Sequence, residues 1–395
     1  MNNLSKALVL ISLFSVCEGT MAKDDPIGFS RTGSTMINAI NSVGLKGDRL
    51  TAVFRGDTMS YGPSVPGIGV FEEKISDADR RTMFSMRDAI CAMKNIPAMR
   101  PGNPGLLLAS VTCPDGRHMP NVLDITTLPR DVNRAVLGPT GDLIEKLYRT
   151  GTPLARLDAA AKFSIENGKP LFIFAFKNSG LFEKVAFKSP STWEGEFNPM
   201  SKSSNISTGG APVDGSAEEF SVTLGAKEFL NAADFPDGIV EIPPGETRIL
   251  KFSAQPDNRI PKGQIEIGGT ITIKEILAPK LLEGAVEFRI PNSISNITEA
   301  YPSTRQEVEQ LETYRRKLLW DSVHPPGATV SETAYYRGYG SYRKDAERDD
   351  YPQLLRKNEK FPERTMRKSD GVKVHDAGPV KIWRWDAFPK AADAR

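Results

Sequence analysis

The sequence lacks the residue spacings that metal sites and most hydrolase active sites require. Only three histidines occur, His118, His324 and His375, and they lie far apart. No His-x-His, His-Glu-x-x-His or Cys-x-x-Cys spacing for zinc is present, and neither a Gly-x-Ser-x-Gly elbow nor a phosphate-binding loop occurs. The sequence therefore predicts no catalytic residue, no metal site and no cofactor. A pair of carboxylates that meet only in space would leave no such spacing, so a glycosidase stays an alternative.

Cysteine is also scarce, with three residues in the chain. Cys17 lies near an apolar N-terminal run, which leaves Cys91 and Cys113. Two thiols in an exported chain favour one disulfide, because an oxidising compartment preserves the bond. Closing a loop of about 22 residues contributes roughly 3 kcal/mol in the chain-entropy model. Two buried free thiols are one alternative, and a nucleophilic pair of Cys113 with His118 is another.

Long hydrophobic runs are absent too. The N-terminal apolar run, Ala7 to Val16, follows Lys6 and is too short to cross about 30 Å of hydrocarbon as a helix. Thr20 and Ala22 place small residues at the −3 and −1 positions of a cleavage site. This layout predicts a signal peptide over residues 1–22 and a periplasmic or secreted protein. Lipidation at Cys17 and a cytosolic start at Met21 are the alternatives.

The chain carries no excess of either charge, since its formal net charge is +2. That balance gives no reason to expect nucleic acid or an anionic membrane as a partner. The length instead predicts several domains. We expect an α+β domain over 23–165, an all-β sandwich over 166–292 and a C-terminal region over 293–395.

The first of these regions mixes strand and helix patterns. Predicted strands are Leu50–Phe54, Gly67–Phe71, Leu106–Cys113 and Val122–Ile125, bounded by Gly and Pro. Val122–Ile125 is the expected hairpin partner of Leu106–Cys113. Ser76 followed by Asp79 predicts a helix N-terminus. Further helices are predicted over Asp142–Tyr148 and Leu154–Phe163, with a turn at Gly138–Gly141.

The middle region shows short strands at regular spacing, typical of an antiparallel sandwich. Two of its segments carry a strand-and-turn pattern, Gly168–Gly180 and Ile242–Phe252. In this pattern the region resembles bacterial immunoglobulin-like domains of exported proteins. The resemblance implies a binding or spacing module and carries no catalytic residue across. Trp193 opens a long Ser- and Gly-rich loop, Ser189–Glu219, where it either anchors a partner or pins the loop to the sandwich.

The C-terminal region is rich in aromatic and basic residues. Ser303 with Gln306 predicts the start of an amphipathic helix that runs to about Asp321. Beyond it, little other regular structure is expected. The residues predicted to bind a partner are Tyr335, Tyr336, Arg337, Tyr339, Tyr342 and Arg343, in a loop threaded with Gly338 and Gly340. Trp383 and Trp385 are expected to pack inside instead. Packing of the whole aromatic set onto the body of the protein is the alternative.

These patterns favour a non-catalytic exported binding protein. An inhibitor or immunity-type protein acting on a protein partner in the cell envelope is the most specific form of that hypothesis, and a glycan is a second candidate ligand. An envelope hydrolase acting on peptidoglycan or polysaccharide is the competing hypothesis from another class. A structural envelope or secretion-apparatus component is the third.

Overall fold

The computed structural model of the protein describes residues 27–32, 40–56, 67–95, 106–119, 122–125, 127–193, 204–215, 219–342, 346–371 and 373–388. Within these ranges the fold is mostly β, with three α-helices. The chain forms two compact units, Met1–Tyr301 and Pro302–Arg395, called here the N-terminal and C-terminal units. The predicted signal peptide and Cys17 lie outside the described residues.

A nine-stranded antiparallel sheet is the centre of the N-terminal unit. Its strands are β1 (Ile27–Thr32), β2 (Ile40–Lys46), β3 (Arg49–Phe54), β4 (Ile68–Lys74), β5 (Leu106–Ser110), β6 (Val122–Asp124), β7 (Thr152–Glu166), β8 (Lys169–Asn178) and β13 (Thr247–Phe252). They lie in the order β13-β8-β7-β4-β3-β2-β1-β5-β6. The pairing of β5 with β6 confirms the hairpin predicted for Leu106–Cys113 and Val122–Ile125. The boundary predicted between residues 165 and 166 falls at the end of β7, inside the hairpin in which Leu157–Glu166 pair with the whole of β8.

A second antiparallel sheet belongs to the same unit. Its strands are β9 (Val185–Lys188), β10 (Asn205–Pro212), β11 (Phe220–Leu224), β12 (Ile239–Ile242), β14 (Gly263–Ala278) and β15 (Gly284–Ile297). Both sheets contribute to one apolar core, in which Phe172, Phe174 and Phe176 of β8 meet Ile271 and Phe288 of the second sheet. Such a two-layer core is that of a β-sandwich.

Two helices cover the opposite face of the nine-stranded sheet. Helix α1 spans Asp77–Cys91, and its N-cap is Ser76, whose hydroxyl accepts a hydrogen bond from the Asp79 amide, as the sequence predicts. Helix α2 spans Arg130–Thr150. Strands β3 and β4 are buried on both faces, because Leu50 and Phe71 point to the helices while Val53 and Val70 point to the sandwich core.

Two predictions in this region are wrong. The turn expected at Gly138–Gly141 lies inside α2, which passes through Pro139. There the Thr140 hydroxyl donates to the Val136 carbonyl at 2.7 Å, and an apolar face at helical spacing packs on the sheet. The helix expected over Leu154–Phe163 is strand β7. Its alanines favour a helix locally, but pairing with β4 on one side and β8 on the other overrides that preference.

The predicted disulfide between Cys91 and Cys113 is confirmed. The bond joins the last residue of α1 to the segment after β5, with the two Cα atoms 5.6 Å apart. Arg117 supports the bridge from both ends, because its guanidinium donates to the Cys91 carbonyl at 2.9 Å and its carbonyl accepts from the Cys113 amide at 2.8 Å. The bridge therefore ties the helical layer to the sheet.

A buried arginine ties the end of β3 to the turn between β14 and β15. The Arg55 guanidinium donates to the carbonyls of Leu281, at 2.9 Å, and of Glu283. Burial lowers the pKa of Arg55 to about 10, and the charge of Glu283 opposes this shift. The neighbouring Gly56 has a φ of +130° and approaches the main chain of Glu287 so closely that a side chain would collide with it. Arg55 and Gly56 thus make a main-chain contact between the two sheets.

The C-terminal unit has more regular structure than the sequence predicts. Helix α3 spans Arg305–Asp321, and the strands are β16 (Ala334–Tyr339), β17 (Gln353–Leu355), β18 (Thr365–Ser369), β19 (Val374–Pro379) and β20 (Ile382–Ala387). The expectation of little regular structure beyond the helix is wrong. The helix cap is also shifted by one residue, since Thr304 and Glu307 bond each other's main-chain amides instead of Ser303 and Gln306.

Candidate binding surface on the C-terminal unit

Strand β16 decides which of the predicted partner-binding residues reach the surface. It pairs with β17 on one side and β20 on the other, so successive side chains point to opposite faces. Tyr336 is fully buried on the inner face, whereas Tyr335, Arg337 and Tyr339 lie half-buried on the outer face. The expected mobile loop is therefore a strand, and Tyr336 is not available to a partner.

The inner face of β16 packs on an aromatic core. The Tyr336 ring meets Phe361 edge-to-face with centroids 4.9 Å apart, and Phe361 in turn contacts the buried Trp383. The Tyr336 hydroxyl donates to the Glu332 carbonyl at 2.8 Å. Burial, together with the nearby Glu332 charge, raises the pKa of Tyr336 to about 12. These contacts with the aromatic core anchor the inner face of β16.

All three guanidinium nitrogens of Arg337 donate hydrogen bonds within the protein. Its Nε and Nη2 donate to the two carboxylate oxygens of Asp386 at 2.8 and 3.2 Å, and its Nη1 donates to the carbonyls of Asp349 and Asp350. The hydrogen bond to Asp386 raises the pKa of Arg337. A bidentate pair of this kind fixes geometry. Arg337 therefore positions the surface rather than offering a free charge to a partner.

The buried carboxylate of Asp349 anchors residues 349–351, whose carbonyls at Asp349 and Asp350 accept from Arg337. Asp349 is fully buried, forms an ion pair with Arg364 and accepts a hydrogen bond from the Tyr351 amide at 2.8 Å. The Arg364 guanidinium also lies over the Trp383 ring, 4.8 Å from its centroid. A buried charge needs such partners, so this ion pair couples residues 349–351 to the aromatic core.

The outer side of the sheet carries the candidate site. The Arg384 guanidinium lies over the Tyr339 ring, with Cζ 5.5 Å from the centroid, and Nη2 donates to the Tyr342 carbonyl at 3.1 Å. Tyr342 lies three residues beyond the end of β16 and has 67 % of its surface exposed. We call Tyr335, Tyr339, Tyr342 and Arg384 the tyrosine face.

Arg384 is the cation of the tyrosine face. Among the described residues no carboxylate pairs with it, because its neighbour Asp386 is bound to Arg337. Nη2 of Arg384 already donates to the Tyr342 carbonyl and Nε is buried, which leaves Nη1 as the donor for another group. The face can therefore bind an anionic or hydrogen-bond-accepting group between flat aromatic rings.

The remaining predicted site residues are not part of this face. Trp193 is only 3 % exposed, belongs to the N-terminal unit, and its indole donates to the Lys188 carbonyl at 2.9 Å. Its ring is thus used to pin the chain after β9. Arg343 lies outside the described residues. The sequence pattern does not single out Arg384, since only the pairing of β20 with β16 places it beside Arg337.

None of the described helices is long and apolar enough to span a bilayer. Within the described ranges, no three His, Cys, Asp or Glu side chains come together as metal ligands would. The chain matches no protein-family model, no curated protein and no solved structure.

Proposed function

We propose that this chain is an exported, non-catalytic binding protein that engages a protein partner in the cell envelope through the tyrosine face. The observation that carries the proposal is the contact of Arg384 with Tyr339 and Tyr342, with Tyr335 on the same face of a strand held by the Arg337–Asp386 ion pair. An inhibitor or immunity-type role is the form of this function that we favour.

The chemistry of the face supports a protein partner. Residues 335–342 read Tyr-Tyr-Arg-Gly-Tyr-Gly-Ser-Tyr, a composition close to that of antibody binding loops. Tyrosine supplies a large contact area and a hydroxyl at low cost in side-chain entropy, while Arg is enriched where binding energy concentrates. Because the buried ion pairs hold the strand before any partner arrives, little ordering is left to oppose binding.

Two further observations support the compartment and the scaffold. A disulfide between Cys91 and Cys113 persists most readily in an oxidising compartment. The strand-and-turn pattern of Gly168–Gly180 and Ile242–Phe252, within two antiparallel sheets around one core, supports an immunoglobulin-like module as the scaffold.

The test is an affinity pull-down from cell-envelope extract with the full chain as bait. Replacing Tyr335, Tyr339 and Tyr342 by Ala should abolish capture of a stoichiometric protein partner while the melting temperature changes little. A matched control replaces Tyr314, an exposed tyrosine of α3, by Ala. This variant should capture the partner as the wild type does.

The opposite outcomes are equally clear. A triple variant that still captures the partner at wild-type yield would remove the tyrosine face from the function. Retention on purified cell wall with no protein partner would favour the hydrolase or the structural component instead.

A further inference from the structure

Within the part of the chain that the structure describes, three strands at one end of the nine-stranded sheet have an exposed face that no helix covers. The register places Ala160, Ala175 and Ile249 side by side across β7, β8 and β13. The next row is Lys162, Ile173 and Lys251. Ile249 is 39 % exposed, and Lys162 and Lys251 are exposed. We call these six residues the open sheet face.

The open sheet face lies on the same side of the sheet as the helices. The Tyr148 ring of α2 contacts Phe54 and Phe71 from that side, and the Arg156 guanidinium lies over it, 5.1 Å from its centroid. Arg156 belongs to β7, where Ala160 and Lys162 alternate onto the same face. The helical layer therefore ends at Tyr148, and the open sheet face begins one strand further on.

The open width is that of one helix. Neighbouring strands lie about 4.8 Å apart, so three strands span about 10 Å, which is close to the diameter of an α-helix with its side chains. The apolar row and the stems of the lysines would receive an apolar stripe. A third helix on this face would continue the layer that α1 and α2 begin.

The outer edge of β13 already has hydrogen-bond partners, so an added strand could not pair with it there. The Asn231 side chain bonds that edge as a neighbouring strand would, since its Oδ1 accepts from the Lys251 amide and its Nδ2 donates to the Ile249 carbonyl, both at 2.9 Å. The Leu230 amide also donates to the Lys251 carbonyl at 2.9 Å. A blocked edge favours a partner that lies on the face over one that extends the sheet.

Positive charge surrounds the open sheet face. Lys162, Lys177 and Lys251 are exposed around the apolar residues. Two carboxylates of β7 lie on this side. Asp158 is bound by Arg156 at 3.0 Å and by the Ser179 hydroxyl, and Glu166, at the far end of the strand, lies opposite Lys169 and accepts from the Ser164 hydroxyl at 3.1 Å. Around the apolar residues, the three lysines outnumber the adjacent carboxylate, Asp158, which already has two donors, so this surface complements an acidic partner and repels a second copy of the same face.

We propose that the open sheet face docks an amphipathic helix of a partner protein, in which carboxylates flank the apolar stripe. The apolar row receives the stripe, and the three lysines meet the flanking carboxylates. This surface is separate in sequence and chemistry from the tyrosine face, so either proposal can fail without the other.

The test places a photo-crosslinking amino acid, benzoylphenylalanine, at Ile249 of the full chain in the cells that make it. Irradiation should link the chain to one protein, and peptide mapping should locate the link on a helical segment that contains Asp or Glu. Replacing Lys162, Lys177 and Lys251 by Glu should lower the yield of this product at least about tenfold. Exposed lysines seldom carry stability, so the variant should melt normally.

Matched controls use the other sheet of the sandwich. The crosslinker at the exposed Val213 should not give the product, and replacing the exposed Lys188, Lys262 and Lys274 by Glu should leave its yield unchanged. Links only to lipid, only to a second copy or within the chain would overturn the proposal. So would the lack of any link, or a product that is insensitive to reversal of the three lysines.

Discussion

The His324 imidazole lies parallel to the Phe361 ring, with centroids 4.8 Å apart and planes 11° from parallel. Tyr336 meets the imidazole edge-on at 6.1 Å, and the Ser322 hydroxyl lies 2.9 Å from Nε2. The His324 main chain bonds Trp383 in both directions, at 2.9 and 2.7 Å. A titratable ring is thus part of the aromatic core of the C-terminal unit.

This position predicts that acid weakens the C-terminal unit. Burial lowers the pKa of His324, so the unfolded chain binds the proton more readily than the folded one. The contribution of neutral His324 to the free energy of unfolding should be fully present above the pKa of histidine in the unfolded chain, about 6.5. It should be lost as the pH falls from there towards the lower pKa of the folded state. Tryptophan fluorescence during urea unfolding between pH 5 and 8 measures this slope.

The matched control for His324 is the exposed His375. Replacing His324 by Gln should flatten the pH dependence, while replacing His375 by Gln should leave it as in the wild type. An unchanged slope in the His324 variant would show that this ring does not couple folding to pH.

A second pH effect is expected where α1 meets α2. Lys146 of α2 donates to Asp79 at 2.6 Å and to Glu73 at 2.7 Å. Burial works to raise the pKa of Asp79, but hydrogen bonds from Lys146 and Ser76 outweigh it, so the pKa lies below its ordinary value. This contribution to stability is present above the unfolded value of about 3.9 and is lost as the pH falls through the lower folded value.

Replacing Lys146 by Met should therefore move acid unfolding of the N-terminal unit to higher pH. Far-ultraviolet circular dichroism between pH 2 and 7 measures the midpoint. The control replaces Arg149, which forms an exposed pair with Glu145 on the same helix, by Met. Equal midpoints in the two variants would contradict the role given to Lys146.

The disulfide predicts a stability that depends on redox conditions. Reduction of the Cys91–Cys113 bond, which closes a loop of 22 residues, should lower the free energy of unfolding by about 3 kcal/mol. Urea unfolding with and without reductant measures the difference. A double variant with Ser at both positions should unfold like the reduced protein and ignore the reductant. Free labelling of both thiols in native protein from an oxidising compartment would refute the bond.

Substitutions of aromatic residues in the C-terminal unit should lower the free energy of unfolding strongly at buried positions and little at exposed ones. Trp383 is fully buried and its indole donates to the Pro362 carbonyl at 3.2 Å, so Trp383→Ala should cost about 3–5 kcal/mol. Tyr342→Ala, at a side chain that is 67 % exposed, should change stability by less than about 0.5 kcal/mol. Urea unfolding of both variants tests the division, and similar losses would contradict it.

Local signals predicted several parts of the fold. The Ser76 cap begins α1 because a side-chain acceptor at a helix start acts within one turn. The β5–β6 hairpin was predictable from two apolar runs separated by turn residues. The disulfide was predictable from the cysteine count together with the predicted signal peptide, because removal of residues 1–22 would leave two thiols.

By itself, the sequence determined the antiparallel β character of the middle region, the first helix, the disulfide and the aromatic character of the C-terminal unit. Tertiary structure decided that Leu154–Phe163 is a strand, since its backbone bonds are made with β4 and β8 rather than within the segment. It also decided that Tyr336 is buried while Tyr335 and Tyr339 face outward, and that Arg384 stacks on Tyr339. Composition and periodicity report what a residue prefers over one or two turns of chain. Which face a side chain occupies, and which charge it meets, depends on strands far away in sequence.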